Sequence, residues 1–128
     1  MNAMNLPQGE NWMLLYIMVL VNVVLLVTGQ LLFKLGLDRT GALTLHNLLA
    51  VFLSPLIWAG LVLYVIATVI WFYVLSRAQL NVVYPLQSIS YILALVLSIV
   101  ILHEQATPLR WVGTVVILIG VVLVQIRA

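Results

Sequence analysis

The sequence contains no cysteine and very few charged side chains. The absence of cysteine from its 128 residues excludes disulfide bonds and thiolate chemistry. Charged residues make up 6% of the chain and hydrophobic residues 66%, whereas soluble domains carry about a quarter charged residues. A chain of this composition cannot cover a water-facing surface with polar groups. Lipid must therefore be its main solvent.

The few ionisable groups also limit the chemistry that the chain can perform. A net charge of +2 comes from five basic and three acidic residues, too few for the clustered basic patch of a nucleic-acid-binding protein. Neither His46 nor His103 has neighbours that would complete a metal site. No nucleophile with a nearby base and no glycine-rich phosphate loop is present. The sequence predicts no enzyme, cofactor, metal or nucleic-acid partner.

Four long apolar runs predict an all-α membrane protein. A bilayer core of ~30 Å needs roughly 20 helical residues, and the runs cover about residues 12–33, 55–75, 82–102 and 108–126. We expect a single four-helix transmembrane domain over residues 1–128. The basic residues are nearly balanced between the two sides, with Lys34, Arg39 and Arg110 against Arg77 and Arg127. Charge therefore leaves the orientation open, including insertion in both directions.

The linker between the first two spans has an amphipathic pattern. Apolar residues recur at helical spacing over Thr44–Leu53, and Pro55 would separate this segment from the second span. The segment is predicted to be a short helix on the membrane surface or an early turn of the second span. Its role is either a gate for lipid or a plain linker.

Polar side chains follow one face of the third span. Tyr84, Gln87, Ser88, Tyr91 and Ser98 lie within about 60° of one line on an ideal helix. A polar stripe inside the membrane must face other helices or a wet cavity. We interpret the stripe as one wall of a substrate groove, with hydrogen bonding between helices as the alternative.

The groove interpretation makes predictions about the rest of the third span. The opposite face, with Val83, Leu86, Leu93, Val96 and Leu97, is expected to meet lipid. Ser90 lies about 120° off the stripe. It is therefore expected to lie outside the groove.

Other residues are candidates for the same site or for helix packing. Asn22 and Gln30 in the first span could join the groove or pair with another helix. Lys34 and Arg110 could bind a lipid phosphate or anchor their spans at the interface. Glu104, which precedes the fourth span, is a further candidate for the substrate site, and the alternative is a loop ion pair with Arg110.

Two glycines of the fourth span predict a packing surface. Gly113 and Gly120 are seven residues apart and share one helix face. Small residues allow helix backbones to approach closely. We interpret the pair as a packing or dimer seam.

Three motifs resemble the drug/metabolite transporter superfamily in its EamA-like branch. They are G-Q-L-L-F-K from Gly29, Y-P-L-Q-S-I-S-Y from Tyr84 and H-E-x-x-T-x-x-R-W-V-G-T from His103. Four-span members include the small multidrug resistance exporters and the subunits that flip aminoarabinose-phosphoundecaprenol. The exporters carry a glutamate in the first span, and alignment on Lys34 places Leu26 there. The start of the third span is more similar to the flippase subunits.

This resemblance implies a transporter of the bacterial inner membrane. The implied substrate is an undecaprenyl-phosphate-linked sugar or another anionic lipid. The rival functions are a small-molecule or multidrug-type exporter and a non-transporting accessory subunit of a membrane glycosyltransferase. Four short helices barely enclose a path, so we expect a homodimer or a heterodimer with a paralogous subunit.

Overall fold

The computed structural model describes residues 12–126, and four helical segments in this part of the chain are long and apolar enough to cross a membrane. The third of them, Leu80–Val100, consists of two helices separated by a short break. The predicted all-α, four-span fold is confirmed. The helices are α1 (Trp12–Thr40), α2 (Leu48–Leu53), α3 (Pro55–Arg77), α4 (Leu80–Gln87), α5 (Ser90–Val100) and α6 (Pro108–Gln125). Arg127, used above for the charge balance, lies outside the described residues.

The first helix is longer than the apolar run that predicts it. It continues past Lys34 to Thr40 and ends where Gly41 adopts a φ of +92°. The Gly41 amide donates to the Leu37 carbonyl at 2.8 Å, and glycine adopts this left-handed conformation without strain. Lys34 therefore projects from a continuous helix rather than from a loop.

A turn shortens the predicted surface helix between the first two spans. The Asn47 side chain accepts from the Thr44 amide and donates to the Ala42 carbonyl, both at 2.7 Å. These bonds hold the chain in a turn, so the helix covers Leu48–Leu53 rather than Thr44–Leu53. Leu45, Leu49, Phe52 and Leu53 are largely exposed, as expected for a segment that meets lipid.

Glycines bring α1 and α3 into close contact. A Cβ added at Gly60 would lie 2.7 Å from the Phe33 ring and 2.8 Å from the Gly29 carbonyl oxygen. Nothing larger than hydrogen fits at Gly60, so the backbones of α1 and α3 approach closely at these glycines. The glycines predicted to form a seam, Gly113 and Gly120, have no atom within 4 Å of such a Cβ. Their predicted packing role is therefore not met within the chain, and a role between chains stays a prediction.

The core joins α1 to the third span through a valine stripe. Val19, Val23 and Val27 repeat every four residues along α1 and pack with Val83 and Leu86 of α4. The prediction that Val83 and Leu86 meet lipid is wrong, since they are 1% and 8% exposed. It is also wrong for Leu93 and Leu97, which are partly buried against the same core. The complementary valine stripe of α1 offers them close van der Waals packing, which drives helix association in membranes. The apolar face of the third span therefore packs against the core of the chain.

The fourth span is the least enclosed by its own chain. Only 6% of its apolar window is buried, against 33% for the first span. Val121 reaches the core, and the Gln125 amide donates to the Val82 carbonyl at 2.8 Å. Most of α6 is thus free to meet lipid or another subunit.

Candidate functional site

A polar cavity lies between α1, α3 and the interrupted third span. Its volume is about 310 Å³. Its polar groups are amides and hydroxyls, and no lining side chain carries a formal charge at neutral pH. The cavity therefore offers hydrogen bonds without a fixed ion. Its lining consists of Leu26, Val27, Gln30, Tyr64, Tyr84, Gln87, Ser88, Ser90, Tyr91 and Ala94.

Asn22 supports the cavity from behind. Its side chain is fully buried, and its amide donates to the carbonyl of Ala67 in α3. Its carbonyl oxygen accepts from the Gln87 amide at 3.2 Å. Asn22 thus ties α1 to α3 and orients Gln87, which lines the cavity. Its place in the structure is behind the wall, and it does not contact the cavity itself.

Gln30 of α1 and Tyr64 of α3 also line the cavity. The Gln30 amide donates to the Tyr64 hydroxyl at 3.0 Å, and the Tyr64 ring packs against Phe33. Tyr64 is absent from the predicted site. In the sequence, Tyr64 stands out as a tyrosine deep within an apolar span, but it belongs to no polar stripe that would have placed it in the site.

The break in the third span reorganises the predicted polar face. Pro85 lacks the amide that would bond the carbonyl of Asn81, which weakens the helix at this point. Several amides after the proline bond the carbonyl three residues earlier instead of four. The Ser88 amide donates to the Pro85 carbonyl and the Tyr91 amide to the Ser88 carbonyl, both at 3.0 Å. α4 ends at Gln87 and α5 begins at Ser90. The polar residues therefore lie on two short helices rather than on one.

This tightening brings Ser90 into the cavity. A 3₁₀ turn advances each residue by roughly 120° instead of 100°. The i→i−3 bonds at the break therefore rotate the residues that follow it relative to α4. The expectation that Ser90 lies outside the groove is wrong, because Ser90 lines the same cavity as Gln87.

The two tyrosines of the stripe stand at the open side of the cavity. Tyr84 and Tyr91 are each 60% exposed, and the Tyr84 ring meets Trp71 edge to face at 6.3 Å. The cavity is therefore accessible from the side on which the chain lacks a neighbour. Lipid or a second subunit must cover this side.

Ser98 lies in a second, more apolar groove between α5 and α6. Arg110, Gly113 and Thr114 line it, and its volume is about 470 Å³. The Ser98 hydroxyl donates to the Leu95 carbonyl at 2.8 Å, which engages its proton within its own helix. Tyr91 and Ala94 line both spaces, so the groove continues the cavity towards the membrane face where Arg110 lies.

The charged candidates lie at that membrane face. Lys34 is one helical turn beyond Gln30 on the same side of α1, and it forms a 3.5 Å ion pair with Asp38. Within the described residues Glu104 makes no ion pair with Arg110, so the predicted loop pair is wrong. The Arg110 guanidinium instead donates to the Gln105 carbonyl at 3.3 Å, because the turn before α6 brings that carbonyl within reach.

The fold and the cavity together indicate the class of protein to which this chain belongs. Three of the four membrane spans line an uncharged polar cavity, and a groove against the fourth span continues it to one membrane face. This architecture is that of a small multi-pass membrane transporter.

Comparisons with known proteins give the family. The profile of the EamA-like transporter family matches residues 8–126. A relative from Serratia proteamaculans, the probable 4-amino-4-deoxy-L-arabinose-phosphoundecaprenol flippase subunit ArnF, is 35% identical over 82% of this chain and 88% of its own. The ArnF relative from Proteus mirabilis is 32% identical over 86% and 90%. The chain belongs to the EamA-like transporter family.

A second kind of flippase subunit is also similar. The relative named ArnE from Aeromonas salmonicida is 36% identical over 55% of this chain and 61% of its own. No solved structure matches the chain at a significant level.

Proposed function

We propose that this chain is one subunit of a flippase for an undecaprenyl-phosphate-linked sugar or a similarly anionic lipid. The proposed location is the inner membrane of a bacterium. The observation that carries the proposal is the uncharged cavity, which has Leu26 in its wall and continues as a groove to Arg110. The names of the ArnF and ArnE relatives, which specify a lipid-linked sugar, support the same substrate class.

The cavity suits a headgroup that must cross hydrocarbon. A phosphate left in the bilayer core is strongly disfavoured, so it needs hydrogen-bonding groups along its path while its tail stays in lipid. Gln30, Gln87, Tyr84, Ser88 and Tyr91 are proposed to supply these groups. A neutral lining holds an anion less tightly than a lysine would, which favours release.

The cations are proposed to receive the phosphate at one membrane face. Successive spans alternate in direction, so the end of α1 and the start of α6 lie on the same side. Lys34 follows Gln30 by one turn, and Arg110 borders the groove that continues the cavity. Together with Ser98, they extend the path from the middle of the membrane to this face. Glu104 is proposed to act only at the rim of the path.

A second subunit is proposed to complete the path. The cavity opens at Tyr84 and Tyr91, and α6 is almost wholly unburied with Gly113 and Gly120 free. Relatives of both the ArnF and the ArnE kind favour a pair of unlike subunits, and a homodimer is the alternative. Gly113 and Gly120 are the proposed contact surface.

The two rival functions make different demands on the same residues. An exporter of cations needs an acidic group in the cavity, and Leu26 stands where the multidrug exporters carry theirs. An accessory subunit of a glycosyltransferase needs no lipid path at all. The cavity therefore favours the flippase over both.

Lipid identification and transport measurements test the proposal. The full chain, alone and with a paralogous subunit, is purified in nanodiscs, and bound lipid is identified by mass spectrometry. Both preparations are then reconstituted into vesicles containing a labelled undecaprenyl-phosphate-linked sugar. We expect polyprenyl phosphate to copurify and the paired preparation to move the labelled lipid. Movement of lipophilic cations alone, or stable association with an enzyme without lipid movement, would replace the proposal by the corresponding rival.

A further inference from the structure

Two hydroxyl groups at the break in the third span have no hydrogen-bond partner in the described part of the chain. They belong to Ser88 and Ser90, which are half-buried and line the polar cavity. Several serine and threonine hydroxyls elsewhere in the spans donate to a carbonyl of their own helix. Examples are Thr68 to Tyr64 and Thr114 to Arg110, both at 2.8 Å.

Unpaired hydroxyls in the middle of a membrane need a partner. An unsatisfied polar group in an apolar medium costs free energy, so it must meet water or a ligand. Serine in a continuous helix usually satisfies this demand by bonding the carbonyl three or four residues earlier. Within the described residues Ser88 and Ser90 make no such bond, so their donors are available to whatever fills the cavity.

Resting on the proposed function, we propose that Ser88 and Ser90 are direct ligands of the anionic headgroup. Both serines lie at the break in the third span and line the same cavity. Two neutral donors bind a phosphate oxygen without the fixed charge that would retain it. Gln87 is already engaged by Asn22 through its amide, whereas the hydroxyls of Ser88 and Ser90 remain available to a ligand in the cavity.

Cysteine accessibility tests this assignment cleanly, because the natural sequence contains no cysteine. Ser88→Cys and Ser90→Cys are each introduced into the full chain in nanodiscs and treated with a small methanethiosulfonate reagent. Thr68→Cys is the control, since Thr68 is exposed on α3 at similar depth but does not line the cavity. The reagent attacks the thiolate, which forms in water and not in lipid.

Two lipid probes separate the headgroup from the tail. We expect undecaprenyl phosphate to slow the labelling of Ser88→Cys and Ser90→Cys several-fold, and undecaprenol to have little effect. Thr68→Cys should label slowly with either lipid. Equal protection by both lipids, or labelling of Thr68→Cys at the rate of Ser90→Cys, would overturn the assignment.

Binding measurements on oxygen-free variants separate this inference from the proposed function. Native mass spectrometry of the wild type should show retention of undecaprenyl phosphate over undecaprenol. Ser88→Ala and Ser90→Ala should each weaken that retention about tenfold, because one hydrogen bond to a charged group changes the binding affinity by about that factor. Ser90→Thr keeps the hydroxyl and should keep the retention. If the wild type retains the phosphate and both alanine variants retain it equally, only this inference fails. If the wild type does not distinguish the two lipids, the proposed function fails as well.

Discussion

The hydrogen bonds of Asn22 give a quantitative test of how the cavity wall is held. Asn22→Leu keeps the side-chain volume but removes the bonds to the Ala67 carbonyl and the Gln87 amide. Bonds between membrane helices contribute about 0.6 kcal/mol each on average and up to about 1.7. Leaving the half-buried Gln87 amide unpaired adds a cost of about 1 kcal/mol or more. We expect Asn22→Leu to lower the free energy of unfolding by about 2 kcal/mol.

A double-mutant cycle isolates the contact between the two amides. Unfolding is followed by circular dichroism in mixed micelles titrated with a denaturing detergent. Gln87→Leu should cost about 1 kcal/mol, and the double variant should lose about 1 kcal/mol less than the sum of the single variants. Thr68→Val is the control, because its hydroxyl bonds only its own helix and should matter by less than about 0.5 kcal/mol. Additivity within about 0.3 kcal/mol would refute the coupling between Asn22 and Gln87.

Two further predictions concern packing and charge. Gly60→Ala should destabilise the chain by about 2 kcal/mol in the same unfolding assay, since its Cβ would overlap Phe33. Gly113→Ala should leave that stability unchanged, and a matching loss there would contradict the open surface of α6. Lys34→Ala and Arg110→Ala should each weaken retention of undecaprenyl phosphate about fivefold in native mass spectrometry. Lys34→Arg should restore it in part because the two cations differ in geometry. The differences should shrink in high salt, and an equal loss of neutral undecaprenol would show that the cations act only as anchors.

The four spans follow from the sequence because length and apolar composition decide them. The grouping of Tyr84, Gln87, Ser88 and Tyr91 at one cavity is also predicted by their spacing along the sequence. The position of Ser90 in the cavity could not be predicted from the sequence. It depends on how the chain relaxes after Pro85, where tighter turns change the rotation per residue about the helix axis from about 100° towards about 120°.

The remaining misses share a physical cause. The lipid-facing assignment of Val83 fails because any apolar face suits both lipid and a neighbouring helix, and only the valine stripe of α1 decides between them. Gly29 and Gly60 lie on different spans, so their contact has no signature within either one. The hydrogen bond between Gln30 and Tyr64 likewise joins two spans, so neither span alone predicts that Tyr64 belongs to the site. The spacing of residues within one span therefore does not predict which residues of another span they contact.

Leu26 offers the sharpest test of the charge argument. It lines the cavity, so Leu26→Glu would place a carboxylate beside the path of the headgroup. Two like charges about 6 Å apart repel by roughly 3 kcal/mol at an effective dielectric constant of about 20. This repulsion corresponds to about a hundredfold loss in binding of an anionic lipid. Leu26→Gln has a similar shape without the charge and should lose far less.

Both Leu26 variants are measured for retention of undecaprenyl phosphate and for movement of its labelled, sugar-linked form in vesicles. Leu26→Glu should fail in both assays while remaining folded, and Leu26→Gln should stay within a few-fold of the wild type. Equal loss in the two variants would show that bulk rather than charge matters at this position. Wild-type behaviour of Leu26→Glu would mean that the headgroup does not pass through this cavity. Movement of a lipophilic cation by Leu26→Glu, but not by Leu26→Gln, would show that charge at this position selects between the two kinds of substrate.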